Sequence, residues 1–351
     1  MFKKFLLELL AILLIFGGSN IASAKTWDKT FPKSDKVNIQ RVEFKNRFGI
    51  TLVGDLYTPK GVNVGVNTGV NSNKKLSAIA ISGPFGAVKE QSSGLYAQTL
   101  AERGFVTLAF DPSYTVESSG TPRNVASPDI NTVDFSAAVD YLSNVNIVNP
   151  DKIGILGICG FGGFAINAAA IDTRIKATTA VTMYDMTRIS AKGYNDEMDE
   201  NLRYEMKEVF NKQRTEDYKS GTFAKQPGLP DKLTGEEPQF IKDYWGYYKT
   251  KRGFHKRSIN SNSNWNMTSS LSLINQPILQ YAQEIRTPIL IVHGENAHSR
   301  YMGEDAYHKL KGDNKELFIV KGANHVDLYD GGDKNAIPFD KIESFYKENL
   351  K

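Results

Sequence analysis

The sequence predicts an α/β fold in which a mostly parallel central sheet is covered by helices on both faces. Strand-like apolar runs alternate with amphipathic helical stretches along most of the 351 residues, and this alternation is typical of such sheets. A glycine-rich turn around Cys159 follows one apolar run directly, and His325 follows the last one. A thiol and an imidazole are thus expected at the ends of two strands.

The first half of the chain begins with a predicted hairpin, residues 37–44 and 50–57, joined by the turn at 46–49. Residues 60–75 contain Gly-Val-Asn three times and predict a surface loop. A helix over 91–103 is expected to end at Gly104, a residue suited to a C-terminal cap. The other elements predicted in this half are strands over 77–82, 105–110, 153–158 and 177–182 and a helix over 133–142.

The alternation stops between about residues 185 and 280, where charged and aromatic sequence predicts an inserted cap. This region includes a polar helix over 197–218 and the aromatic cluster Tyr244, Trp245, Tyr247 and Tyr248. The sheet is then predicted to resume, so that residues 25–351 form one domain with the cap as an insertion. The elements predicted after the cap are strands over 288–294 and 317–320 and helices over 302–311 and 340–350.

Residues 1–24 have the pattern of a signal peptide. Lys3 and Lys4 precede an apolar stretch over 5–16, and small residues precede a cleavage position after Ala24. The apolar stretch is shorter than the roughly 20 residues that a spanning helix needs. We therefore expect a secreted or periplasmic protein with no stable membrane anchor after signal cleavage.

Composition limits the partners and the sources of stability. The formal net charge of +4 is too small to indicate a nucleic-acid partner. Cys159 is the only cysteine and cannot form a disulfide within the chain, so stability must come from a packed core. No metal or cofactor is implied, and the expected partner is a small-molecule substrate.

Cys159 is the candidate nucleophile. A reactive side chain on a sharp strand-to-helix turn projects from the sheet, and the helix N-terminus favours the thiolate. The alternative is a small buried hydrophobic residue, the commoner role of a free cysteine. Phe161 stands where a glycine usually follows the nucleophile by two residues, which implies a more open turn or a differently packed helix.

His325 is the candidate general base, because imidazole can accept the thiol proton and then protonate the leaving group. A nucleophile, a loop acid and a late histidine, in that order, are the arrangement of the α/β-hydrolase fold. His298 is the rival base.

Several motifs in this order resemble the dienelactone-hydrolase-like group of α/β hydrolases, whose members often carry cysteine in place of serine. The resemblance extends from about residue 37 to the C-terminus and weakens in the cap. It implies cleavage of an acyl substrate. The motifs are Val88-Lys-Glu-Gln91, Ala109-Phe-Asp-Pro-Ser-Tyr114, Gly157-Ile-Cys-Gly-Phe-Gly-Gly163, Gly294-Glu-Asn-Ala-His-Ser-Arg-Tyr301 and Gly322-Ala-Asn-His-Val-Asp327.

The triad acid departs from the family pattern, because Ala297 occupies the place where the family usually has an aspartate. Glu295 is the nearest carboxylate, and its longer side chain could orient the imidazole. Asp185, one strand earlier, is the alternative acid. For both residues the alternative to a triad acid is a loop carboxylate that accepts hydrogen bonds from backbone N–H groups.

The oxyanion hole needs two backbone N–H groups, one of them from the residue after the nucleophile, Gly160. Pro84 has no N–H, so Phe85 is expected to supply the second. Glu90 could lie near the thiol, and Lys89 or Arg300 could meet an anionic substrate. The commoner roles are a charge near a helix N-terminus for Glu90 and surface or supporting charges for Lys89 and Arg300.

The sequence therefore predicts an exported cysteine hydrolase that cleaves an ester, lactone or thioester through an acyl-enzyme on Cys159. Two alternatives stay open at this point. One is an acyltransferase, in which an alcohol or amine replaces water. The other is a binding protein on a hydrolase scaffold, for which an unreactive thiol is expected.

Overall fold

A computed structural model describes residues 27–62 and 75–351. Within these residues the chain forms an eight-stranded sheet in the order β1-β2-β4-β3-β5-β6-β7-β8. β2 is antiparallel to both β1 and β4, and every other neighbouring pair is parallel. The strands are β1 Val37–Lys45, β2 Thr51–Pro59, β3 Leu76–Ser82, β4 Val106–Asp111, β5 Val148–Ile158, β6 Thr178–Val181, β7 Ile289–Gly294 and β8 Lys315–Val320.

Helices cover both faces of the sheet. On one face, α1 (Ser92–Glu102) and α11 (Phe339–Asn349) pack through Tyr96, Leu100 and Ile342. On the other face, α2 (Pro128–Ser143) and α3 (Gly160–Ile171) pack through Phe135, Phe164 and Ala168. Because both faces are buried, the central strands carry continuous apolar runs. The fold predicted from the sequence is confirmed.

The cap is the insertion between β6 and β7, residues 182–288. It carries helices and contributes no strand to the sheet that the described residues form. The predicted polar helix is present, and it begins three residues later than the sequence predicts. The helices of the insertion are α4 Met186–Lys192, α5 Glu200–Ser220, α6 Gln239–Tyr248, α7 Ile259–Asn262 and α8 Ser270–Asn275, and those after β7 are α9 Arg300–Lys309 and α10 Asp327–Asp330.

Two elements begin about five residues earlier than the sequence predicts. α2 begins at Pro128 instead of near residue 133, because Ser127 accepts a hydrogen bond from the Ile130 N–H and Pro128 fits the first helical turn. β5 begins at Val148, before the apolar run. The expected signal peptide, residues 1–24, lies outside the described residues, as does most of the 60–75 loop. No helix of the described ranges is long and apolar enough to cross a membrane.

A buried charge network lies at the end of β4. Lys89 is 1% exposed, and its ammonium group pairs with three carboxylates, those of Glu90 at 2.7 Å, Asp111 at 3.1 Å and Glu117. Arg257 of the insertion also pairs with Glu90, at 2.6 Å. Lys89 and Glu90 are thus committed to internal ion pairs. Lys89 is therefore not free to meet an anionic substrate, which agrees with a supporting role, and Glu90 serves as an ion-pair partner.

Lys89→Met should lower the free energy of unfolding by about 3–5 kcal/mol, because it leaves buried carboxylates without their cation. Lys309→Met is the control, since Lys309 pairs with Asp305 on an exposed helix surface and such pairs contribute about 1 kcal/mol or less. Urea unfolding of the two variants measures both. Equal losses in the two variants would contradict a structural role for the network.

Candidate active site

Cys159 lies in the turn between β5 and α3, at the carboxyl edge of the sheet. Its backbone has φ 57° and ψ −124°, a strained conformation for a residue with a side chain. A Cβ at Gly157 would lie 2.0 Å from the Phe161 carbonyl oxygen, and one at Gly160 would lie 2.8 Å from Met186. Strand and helix therefore meet closely, and Phe161 is accommodated by packing its ring into the core.

The Cys159 thiol is buried and neutral. Burial raises the pKa of the thiol, and the nearby Gly160 and Phe85 N–H groups and the hydroxyl groups of Tyr329 and Tyr244 offset only part of this rise. The helix N-terminus alone was expected to favour the thiolate, and desolvation outweighs it. Gly160 and Phe85, the residues predicted for the oxyanion hole, both lie beside Cys159, and their N–H groups lower the pKa of the thiol.

His325 follows β8 and is fully buried. Its Nδ1 lies 2.6 Å from Ser299 Oγ and 3.0 Å from Thr182 Oγ1, and its Nε2 lies 3.0 Å from the Tyr329 hydroxyl. Burial lowers the pKa of the imidazole well below its usual value. The ring is therefore neutral and is fixed at both nitrogens by hydroxyl groups.

Neither predicted acid takes the place of a triad carboxylate. Glu295 is exposed and accepts a hydrogen bond from the Gly322 N–H at 2.8 Å. Asp185 accepts two backbone N–H bonds as the N-cap of α4. Among the described residues, neither carboxylate bonds to His325. Both expectations are corrected: each side chain satisfies nearby backbone amides, and two hydroxyl groups occupy Nδ1.

His298, the rival base, lies beside His325, with 4.9 Å between the ring centroids. Its Nε2 is 2.9 Å from the Tyr184 hydroxyl and 3.2 Å from the Tyr244 hydroxyl. Its ring stacks on Phe240 at 4.9 Å. Burial lowers the pKa of His298 to about 4. This histidine is therefore also neutral, and it is held in an aromatic group contributed largely by the insertion.

Cys159 opens into a cavity of about 220 Å³. Its wall combines apolar side chains with tyrosine rings, and no acidic or basic side chain lines it. The lining residues are Phe85, Cys159, Tyr184, Met186, Ile189, Leu229, Tyr244, Tyr248, Asn260 and Tyr329. Two members of the predicted aromatic cluster thus face the thiol. Arg300 pairs with Glu304 on α9, so it is not an anion site of this cavity.

A second cavity, of about 210 Å³, adjoins the first and shares Phe85 and Met186 with it. Phe85 stacks on Trp265 of the insertion at 4.1 Å. The wall beyond these residues is mostly apolar. Its other residues are Ala126, Ser190, Met206, Phe210, Gln226, Ser269, Ser270, Leu273 and Ile274. The two cavities together offer an apolar group room on both sides of Phe85.

Sequence reasoning missed Ser299, Thr182 and Tyr329, the three residues that bond to the His325 ring. Ser299 lies inside a motif that was already singled out, and Tyr329 follows His325 by four residues. The family pattern predicts a carboxylate as the partner of the imidazole, so hydroxyl groups were not expected in this place. Their hydroxyl groups reach the ring only because the ends of β6, β7 and β8 are neighbours in the sheet.

Comparison with known proteins identifies the fold. The α/β hydrolase GrgF from Penicillium sp. superposes with a TM-score of 0.71 at 22% identity, over 89% of this chain and 99% of its own. A Penicillium polyketide transferase named grgF is 28% identical over 43% of this chain and 45% of its own length. A thiohydrolase of Eupenicillium brefeldianum is 30% identical over 40% of this chain and 42% of its own. No family model matches the chain.

Two bacterial proteins match over most of their length. The uncharacterized protein PA2218 of Pseudomonas aeruginosa is 57% identical over 95% of this chain and 87% of its own. Its crystal structure superposes with a TM-score of 0.86, over 93% of this chain and 98% of its own. The uncharacterized protein YcjY of Escherichia coli is 35% identical over 80% of this chain and 91% of its own. The chain therefore belongs to the family of α/β-hydrolase-fold proteins that includes PA2218 and YcjY.

Proposed function

We propose that this protein is an exported, dienelactone-hydrolase-like enzyme that cleaves an ester, lactone or thioester through an acyl-enzyme on Cys159. The observation that carries the proposal is the strained turn at Cys159, which places the thiol at the N-terminus of α3 and in the wall of a cavity that Phe85 also lines. The names of the fungal relatives, a thiohydrolase and a polyketide transferase, support acyl chemistry on this scaffold.

In the proposed reaction the thiol loses its proton as it attacks the acyl carbon. Burial keeps both Cys159 and His325 neutral before substrate binds, so His325 acts as a general base and not as half of a preformed ion pair. The carbonyl oxygen takes the position facing the Gly160 and Phe85 N–H groups, which stabilise its developing charge. Water then cleaves the acyl-enzyme with help from the same histidine.

The support of the imidazole differs from that of a carboxylate triad. A carboxylate would stabilise the imidazolium by opposite charge, whereas Ser299 and Thr182 offer neutral dipoles. The hydroxyl groups fix the orientation of the ring without adding charge to the buried site. This arrangement favours substrates with a good leaving group, such as thioesters, because the imidazolium is stabilised less.

Acyl transfer is the second candidate, and the polyketide transferase relative favours it. Transfer differs from hydrolysis only in the acceptor, and a cavity that restricts water favours another nucleophile. Product analysis with a competing alcohol or amine distinguishes the two. Free acid as the main product would support hydrolysis, and an acyl-acceptor adduct would support transfer.

Cys159→Ala should lower kcat/KM at least about a thousandfold on any ester or thioester found by screening, because the acyl-enzyme cannot form. His325→Ala should cause a similar loss, while His308→Ala, at an exposed histidine on α9, is the matched control and should change the rate less than about twofold. If the parent protein and Cys159→Ala bind the same ligand and neither of them turns it over, the protein acts by binding.

Alkylation of the single thiol by iodoacetamide should be half-maximal above pH 8.5, the usual pKa of a free cysteine. The thiolate is the reactive form, and burial raises the pKa of Cys159, so the folded protein needs a higher pH. The urea-unfolded protein, titrated in parallel, should return to about 8.5. A midpoint below that of the unfolded chain would instead indicate an activated thiolate.

Met206→Trp should shorten the acyl chain that the enzyme accepts, because Met206 lines the second cavity. We expect kcat/KM for an octanoyl ester to fall about tenfold or more, with an acetyl ester changed less than about twofold. Glu205→Trp, at an exposed position of the same helix, is the control. An equal loss on both esters in Met206→Trp would show that the second cavity does not hold the chain.

A further inference from the structure

The proposed mechanism needs a proton to pass from Cys159 to Nε2 of His325. In the structure Nε2 faces the Tyr329 hydroxyl at 3.0 Å. Tyr329 lines the same cavity as Cys159, and its hydroxyl lies close enough to the thiol for each group to shift the pKa of the other. A phenol group therefore lies between the proposed nucleophile and the proposed base.

We propose that Tyr329 is a catalytic residue that carries the proton between Cys159 and His325. This inference rests on the proposed function. It replaces direct transfer from thiol to imidazole with a two-step hydrogen-bond chain. Because the hydroxyl both donates and accepts, one tyrosine can complete the chain without becoming charged.

Each proton in the proposed step has a donor and an acceptor. As sulfur bonds to the acyl carbon, the S–H proton moves to the Tyr329 oxygen, and the original phenol proton moves to Nε2 of His325. Tyr329 remains neutral, and the imidazole becomes imidazolium. When the intermediate collapses, the imidazolium returns its proton through the same hydroxyl to the departing thiolate or alkoxide. During deacylation water loses its proton by the same route, and collapse of the second intermediate returns this proton to the departing Cys159 sulfur, which restores the neutral thiol and imidazole.

The hydrogen bonds at Nδ1 fix the tautomer that this chain requires. Nε2 can accept from Tyr329 only if the ring proton is on Nδ1. Nδ1 then donates to Ser299 Oγ at 2.6 Å or to Thr182 Oγ1 at 3.0 Å, and a hydroxyl oxygen can accept in both places. The two hydroxyl groups thus hold the base in the form that receives the proton.

The insertion holds Tyr329 in place. The ring is fully buried and packs edge-on against Tyr247 of α6 at 5.1 Å. Arg252, just after α6, makes two hydrogen bonds of 2.7 Å to Asp330 and one of 3.2 Å to the Val326 carbonyl oxygen. These contacts fix both ends of α10. A phenol with this packing keeps its hydroxyl at the distance that proton transfer needs.

A competing chain runs through Tyr244, which lines the same cavity as Cys159 and whose hydroxyl lies 3.2 Å from Nε2 of His298. Two observations favour Tyr329. The first is distance: the Tyr244 hydroxyl lies 3.2 Å from its histidine, whereas the Tyr329 hydroxyl lies 3.0 Å from His325, and the Tyr184 hydroxyl competes for Nε2 of His298 at 2.9 Å. In the described part of the chain, Nδ1 of His325 also has two hydroxyl partners, whereas no hydrogen bond fixes Nδ1 of His298.

The first test compares conservative tyrosine variants on one substrate. Tyr329→Phe should lower kcat about a hundredfold and change KM less than about threefold, because the ring and the cavity wall remain. Tyr57→Phe, which removes a buried hydroxyl on β2 outside the cavity, is the control and should stay within about twofold of the parent. A kcat above half of the parent value in Tyr329→Phe, or a larger loss in Tyr244→Phe, would overturn the proposal.

A double-mutant cycle then tests the link to His325. If the hydroxyl acts through this base, Tyr329→Phe should cost less than about twofold when His325→Ala is already present. Multiplicative losses would mean that the tyrosine acts independently of the histidine and would overturn the relay.

Alkylation of Cys159 by iodoacetamide separates failure of the relay from failure of the proposed function, because it needs no substrate. At pH 8, Tyr329→Phe should slow alkylation about tenfold, since the hydroxyl stabilises the thiolate, and Tyr57→Phe should leave it within about twofold. An unchanged or faster rate in Tyr329→Phe overturns the relay. Absence of any cleaved ester or thioester, with these rates as expected, overturns the proposed function alone.

Discussion

Burial of the Cys159 thiol and the His325 imidazole is the constraint on which the rest of the site depends. Desolvation disfavours both charged forms, so the pKa of the thiol rises and that of the imidazole falls. The His325 ring accordingly forms its hydrogen bonds with neutral hydroxyl groups, those of Thr182, Ser299 and Tyr329. A buried carboxylate at Nδ1 would have cost desolvation energy of its own.

The insertion between β6 and β7 completes what the sheet begins. The sheet brings Cys159 and His325 to one edge, because the carboxyl ends of parallel strands lie together. The insertion then supplies Tyr244 and Tyr248 to the cavity wall, and its Arg252 anchors the helix that carries Tyr329. The sharp turn at Cys159 is thus a property of the fold, and the surroundings of the thiol are a property of the insertion.

The sheet, its flanking helices and the turn at Cys159 could be predicted from the sequence because they depend on local apolar periods and on glycine spacing. The partners of His325 could not. Ser299 and Thr182 come from loops 117 positions apart in the chain, and only the strand order brings them together. Glu295 was a reasonable candidate for the triad acid by its position, yet its carboxylate accepts a hydrogen bond from the nearby Gly322 N–H. Side-chain choices of this kind are decided by local geometry that a sequence pattern does not contain.

The central claim is that Cys159 carries the acyl group during turnover. The most direct measurement is intact-protein mass spectrometry after rapid mixing with an acyl thioester, followed by peptide mapping. The account predicts a transient mass increase equal to one acyl group, on the peptide that contains Cys159. Turnover with no adduct at any time, or an adduct on another residue, would contradict it.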